Sequence, residues 1–125
     1  MGRIFEMVKV DGRQFWTLFD TGAKHTYVVP EVARLMTRRK MARVFRSAIG
    51  GKNQKSDTDV LLEAKVQGKL IETRALVVDN IGDDEEGKPI EILLGALSMQ
   101  EWAIRPIPDE ERLDMSRYTR NFVEF

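Results

Sequence analysis

The sequence predicts an all-β lobe with one or two short helices, and three observations carry that reading. Apolar runs of strand length recur along the chain, separated by short glycine turns at Asp11-Gly12, Gly50-Gly51 and Gln67-Gly68. Only two stretches suit helices, 31–36 and 96 to about 102, and both are short. The chain also runs through one series of elements twice: hairpin, apolar strand, glycine turn, helix. The first pass ends in Leu18-Phe19-Asp20-Thr21-Gly22 with its helix at 31–36, and the second ends in Leu93-Leu94-Gly95 with its helix near 97–102. The passes share pattern rather than residue identity, which suggests a pseudo-symmetric lobe and not a solenoid.

Residues 4–10 read as a strand, Asp11-Gly12 as a tight turn and 14–19 as the return strand. A short strand over 26–29 follows, and Pro30 suits the first turn of the helix at 31–36. Arg38 to Lys40, with Arg43 and Arg46, form a basic stretch read as a solvated face. A strand over 44–49 runs into the glycine hairpin tip, strand character resumes at 60–66, and Gln67-Gly68-Lys69 turns the chain into a strand over 70–78. Residues 80–88 are acidic and glycine-containing, as expected of an exposed loop without chemistry; nothing in their spacing matches a calcium loop. Ile90, Ile92, Leu93 and Leu94 form a buried strand that ends on Gly95. The tail, 105–125, is polar and punctuated by Pro106 and Pro108, and the alternation of Phe122 to Phe125 predicts a terminal strand.

With 125 residues the chain suits one domain, 1–125. It is 42% hydrophobic and 32% charged, and its 20 basic residues balance 20 acidic ones. No global field steers it to nucleic acid, membranes or acidic substrates. The absence of cysteine excludes a disulfide framework and thiolate metal sites. Residues 1–10 show no cleavable leader pattern and no apolar run reaches transmembrane length, so a cytoplasmic location is expected.

One tetrapeptide carries chemistry. Asp20-Thr21-Gly22-Ala23 follows the apolar run Phe15, Trp16, Leu18, Phe19 and precedes Tyr27, Val28 and Val29. A strand therefore ends in a tight turn that displays one carboxylate, with a hydroxyl beside it and a glycine that lets backbone approach closely. An ordinary turn aspartate is the plain alternative.

Together these residues resemble the retropepsin-like aspartic proteases, single-lobe relatives of pepsin, and are similar in particular to the small prokaryotic members. The resemblance rests on Asp20-Thr21-Gly22-Ala23 after an apolar strand, the glycine hairpin at 49–53, and Ile92-Leu93-Leu94-Gly95 leading into a helix, in that order over about 4–104. It implies a closed, mostly β barrel lobe, an obligate homodimer, a peptide or protein substrate, and no cofactor or metal. It carries Asp20 over as the catalytic aspartate and Thr21 as the residue that hydrogen-bonds across the dimer axis. Gly22, Ala23, Ile49, Gly50 and Gly51 become substrate-binding positions, with a mobile flap over about 44–60, and Leu94 and Gly95 become the support of the turn. Viral members often pair an acidic residue after the tetrapeptide with an arginine after the second glycine, whereas Lys24 and Ala96 stand at those positions here. Bracing of the turn is then expected from elsewhere, with Lys24 and the acidic tail as candidates.

Peptide hydrolysis by this route needs a general base and a general acid. Two carboxylates about 3 Å apart share one proton and so supply both. The chain has one Asp-Thr-Gly; Asp57-Thr58 runs on into Asp59 and lacks the glycine. The second carboxylate is therefore expected from a second copy across a two-fold axis. His25, the only histidine, has no accompanying nitrogen or sulfur ligand and reads as a rim or surface residue. Ser47, Ser56, Ser98 and Ser116 sit in no nucleophile elbow. The alternative to an endopeptidase is a non-catalytic dimerisation or peptide-binding module of the same fold.

Overall fold

A computed structural model describes residues 3–119. The chain opens with a hairpin of β1 (Arg3–Val10) and β2 (Arg13–Asp20), closed by Asp11 and Gly12 at φ 50° and 77°. Two central residues with positive φ give the turn that matches the twist of paired strands. The same backbone recurs at Gly50-Gly51, joining β4 (Arg38–Ile49) to β5 (Lys52–Val66), and at Gln67-Gly68, joining β5 to β6 (Lys69–Val77). Period-two alternation sorts the first hairpin into two faces. Ile4, Val8, Val10, Phe15, Thr17 and Phe19 point into the core; Arg3, Phe5, Met7, Trp16, Leu18 and Asp20 share the opposite face.

Two very short, wholly buried strands complete the lobe: β3 (Thr26–Val28) and β7 (Ile92–Leu94). Each leads at once into a helix, α1 (Pro30–Ala33) with proline at its first turn, and α2 (Ala96–Trp102), which stops where Ala103 turns left-handed at φ 56°. The strands form one sheet ordered β1-β2-β7-β3-β6-β5-β4, and the pair Lys9↔Lys65 brings β1 back against β5. Six strands thus curl around a core that includes Phe15, Phe19, Leu62, Ile71, Ile92 and Leu94, while β4 hangs on the outside.

The internal repeat is present, but its equivalences differ from the expected ones. β2 runs parallel to β7 (Leu18↔Leu93), β6 runs parallel to β3 (Leu76↔Tyr27), and β3 and β7 pair with each other (Tyr27↔Leu93). A two-fold that exchanges Tyr27 with Leu93 also exchanges Leu18 with Leu76. Leu18-Phe19-Asp20 therefore corresponds to Leu76-Val77-Val78 and not to Leu93-Leu94-Gly95, which lies beside it as a parallel neighbour. Apolar runs of equal length look alike in sequence, and only pairing tells partner from equivalent.

Other differences concern boundaries. The first helix ends at Ala33 and the chain continues to Met36 in turns (Met36 N–H to Ala33 O, 3.1 Å). Strand β4 begins at Arg38, six residues before the expected start, so the basic stretch is strand. Strand β5 begins at Lys52 rather than Val60. The tail forms a small hairpin, β8 (Arg105–Ile107) and β9 (Arg112–Asp114), around one 3₁₀ turn at Pro108–Glu110. The strand expected over 122–125 lies outside the described residues. Among the described residues no helix is long and apolar enough to cross a membrane.

Candidate active site

Asp20 is the last residue of β2, and the buried rungs Leu18↔Leu93 and Phe19↔Leu94 hold that strand against β7. Its side chain is 16% exposed. One carboxylate oxygen, Oδ1, accepts the N–H of Gly22 at 2.8 Å, and the main-chain oxygen accepts the N–H of Ala23 at 3.2 Å. A two-residue turn thus folds back on its own aspartate. Thr21 and Gly22 are exposed and Ala23 is half-buried. Across the hairpin Arg3 stands opposite, its Nε 3.9 Å from Asp20 Oδ2. Sequence reading passed over Arg3, although the two-residue turn at 11–12 pairs positions summing to 23 and so places 3 opposite 20.

Gly95 holds the turn from behind. A Cβ there would stand inside the carbonyl oxygen of His25, 2.6 Å from its carbon and 2.9 Å from the oxygen of Ala23. The φ of Gly95 is −92°, open to any residue, so space alone demands glycine. Because the backbones meet, the N–H of Ala96 reaches Ala23 O at 2.6 Å and that of Leu97 reaches Lys24 O at 3.2 Å. A buried hydroxyl chain adds to this: Thr26 Oγ1 accepts the N–H of Gly95 (3.1 Å) and is hydrogen-bonded to Ser98 Oγ (2.6 Å), which in turn meets Thr73 Oγ1 at 2.5 Å. Among the described residues the turn is braced by main-chain bonds, one of them to the carbonyl of Lys24, and by neutral hydroxyls, with no ion pair from the Lys24 side chain to the tail.

The hairpin tip closes down on the lobe. Ile49 is buried, Gly50 lies against Ile81, Gln54 donates to the carbonyl of Asn80 (2.8 Å), and Tyr27 OH donates to Ser47 Oγ (2.8 Å). The tip is thereby brought to loop 79–82 at Gly50 and Gln54 and, through Ser47, to the strand that leaves the Asp20 turn, while Gly51 stands open. The acidic loop has a structural part as well. Asp84 accepts the N–H groups of Lys88 and Glu86 and the indole N–H of Trp16 (2.9 Å each), and these bonds, that from Lys88 foremost, hold its carboxyl below the usual range. Lys88 lies 4.2 Å over the Trp16 ring, with Phe5 stacked on the same indole. A cleft of about 330 Å³ opens there between Arg3, Phe5, Trp16 and loop 84–86, on the face of the hairpin that carries Asp20.

His25 sits half-buried with its ring edge-on to Phe45, 6.2 Å between centres. Burial first, then the charges of Lys24 and Arg74, push its pKa down. Among the described residues no group of three or more His, Asp or Glu side chains is placed to hold a metal.

An ion cluster around a buried carboxylate escaped the sequence altogether. Asp59, which stands where Asp57-Thr58 lacks its glycine, is 3% exposed. It accepts two bonds from Arg39 (2.9 and 2.6 Å) and one from Arg74 (2.7 Å). The Arg39 bonds are the main reason its carboxyl is lowered to about 2. Its three members lie on three strands, 15 and 20 positions apart, so no local spacing announces them.

Comparisons with known proteins agree with this architecture. The sequence profile of the aspartyl protease family matches residues 7–96. Among curated proteins none matches the chain. Among solved structures, the retroviral protease-like domain of Ddi1 from Leishmania major superposes with a TM-score of 0.64 at 13% identity, over 93% of this chain and 90% of that one. The EIAV protease, solved with the inhibitor HBY-793, superposes with a TM-score of 0.60 at 24% identity, over 84% and 92%. A foamy viral protease-reverse transcriptase, bound to an RNA/DNA hybrid, matches 85% of this chain with a segment making up 12% of its own (TM-score 0.58, 13% identity). Matched by the family profile over most of its length and folded like the retroviral enzymes, the chain belongs to the aspartyl protease family and is retropepsin-like.

Proposed function

We propose that the chain is an aspartic endopeptidase working as a homodimer, in which Asp20 of each protomer contributes one half of a shared-proton dyad. The observation that carries this is a single carboxylate at the end of a buried strand, on a turn pinned by Gly95. The internal repeat makes Val78, 2% exposed, the equivalent of Asp20, so the lobe does not repeat its own carboxylate. The second one then comes from a second copy.

In the dimer the two carboxylates lie close enough to share a proton, and they titrate as a pair. The ionised member takes a proton from water as it attacks the peptide carbonyl, and the protonated member gives its proton to the leaving amide nitrogen. Thr21 of each turn hydrogen-bonds to the other and keeps the pair coplanar. The hairpin over about 44–60 acts as the flap: it covers an extended peptide and excludes water, with Gly22, Ala23, Ile49, Gly50 and Gly51 along the strand-like path of the substrate. Leu94 and Gly95 fix the height of the turn. The described residues, 3–119, make one lobe, and the domain is taken as 1–125.

Asp20→Asn keeps the volume and the bond from Gly22 but removes the base. It should lower kcat for peptide cleavage by about 10³-fold or more while the thermal midpoint changes little. Undiminished cleavage by this variant would refute the dyad.

A second reading is a non-catalytic peptide-binding or dimerisation module. Arg3 favours it, because its guanidinium gives Asp20 an ion-pair partner within the chain. Prolonged incubation with a peptide library separates the two: new termini mean an enzyme, whereas intact bound peptide means a module.

A further inference from the structure

The hairpin β4–β5 is not a continuous ladder. Lys40 pairs with Thr58 and the next pair is Phe45 with Ser56, so residues 41–44 bulge opposite the single residue Asp57. A bulge bends and weakens a ladder. The arm beyond it, from Phe45 to the tip and back to Ser56, touches the lobe through Ser47, Ile49 and Gln54, and its root at 41–44 stays pliable unless something spans the break.

Arg74 spans it. It projects from β6, outside the hairpin, and meets three points around the break. On the base side its Nε donates to Asp59 Oδ2 at 2.7 Å; within the bulge its Nη2 lies 2.9 Å from Met41 Sδ; on the arm side its guanidinium sits 5.2 Å from the centre of the Phe45 ring. Arg43, in the bulge itself, lies 5.4 Å from the same ring, and His25, five residues past Asp20, packs on it in a T-shaped contact. Arg39 also binds Asp59, but from β4, so that pair stays within the base of the hairpin. We infer that Arg74 is the positioning residue of the hairpin arm: anchored on Asp59, it holds Phe45 against His25 and so sets the height of the tip over the Asp20 turn. The inference rests on the flap reading above for its effect on catalysis, but not for its effect on the arm.

The test compares Arg74→Met with Arg39→Met, each of which removes one arginine from Asp59. Hydrogen exchange of amides 45–56 should quicken by about tenfold or more in Arg74→Met and by less than about threefold in Arg39→Met. Arg74→Lys keeps the charge on Asp59 and loses the fork and the stacking, so it should fall between. It carries the test alone if Arg74→Met does not fold. In steady-state peptide cleavage, Arg74→Met should raise KM by about fivefold or more and change kcat by less than about twofold. Unchanged exchange in the arm, or equal loosening by Arg39→Met, would overturn the inference. A wild-type protein without peptidase activity would defeat the protease reading and leave the exchange result standing, so the two failures are distinguishable.

Discussion

At the scale of residues, Gly95 shows how one missing atom shapes a site. Its backbone conformation is available to any amino acid; what is unavailable is room, since two carbonyl groups of the Asp20 turn occupy the place of a side chain. Those obstacles are backbone and cannot rotate away. Gly95→Ala should therefore push the turn off α2, lengthen the bonds from Ala96 and Leu97, and cost about 1–3 kcal/mol in denaturant unfolding. By contrast, a Cβ at Gly51 meets nothing within 4 Å, and there alanine strains only φ. If Gly95→Ala proved as stable as the wild type, the close approach would not be what positions the turn.

Among elements, Asp59 is the point where three strands are tied. Its carboxylate lies on β5 and its partners on β4 and β6. The folded carboxyl is lowered to about 2 from 3.8, so folding favours its ionised form. The resulting stability is fully present above the unfolded value and is lost as pH falls through the folded one. It amounts to about 2 kcal/mol. Unfolding free energy measured from pH 5 down to pH 2 should fall less steeply in Asp59→Asn than in the wild type; parallel curves would contradict the assignment. The clamp thus stays charged over the mildly acid range in which a carboxylate dyad works. Another element is protected differently. Among the described residues no strand pairs with the first half of β6 on its β3 side, and there Tyr118 OH bonds Leu70 O and the indole of Trp102 bonds Glu72 O. These side chains cap carbonyls that would otherwise invite pairing with a foreign strand.

On the level of the whole molecule, the internal two-fold and the proposed external one do different things. The first folds two hairpins into one core and leaves Val78 opposite Asp20 in the repeat. The second brings two turns together in an isologous contact. Activity should then depend on association. Specific activity should fall on dilution in step with the dimer fraction seen by sedimentation, because a protomer alone has half a dyad. A monomer at every concentration with undiminished specific activity would rule out the shared site.

Much of this protein was legible without coordinates. Alternating and apolar runs predict the strands because burial on one face imposes period two, and the Asp-Gly and Gln-Gly turns predict the hairpins because few residues tolerate two positive φ values in succession. Asp20-Thr21-Gly22 stood out as a carboxylate on a strand-ending turn, and Gly95 as the end of a buried strand. What remained for the tertiary structure depends on contacts between positions distant in sequence. Which apolar run neighbours which, and so that Leu76-Val77-Val78 repeats Leu18-Phe19-Asp20, follows only from pairing. That Gly95 is needed for space, that Arg3 faces Asp20, and that Asp59 is buried between two arginines become visible only once the strands lie side by side. Periodicity is a local property of the chain, whereas burial of charge and close approach of backbone belong to the fold.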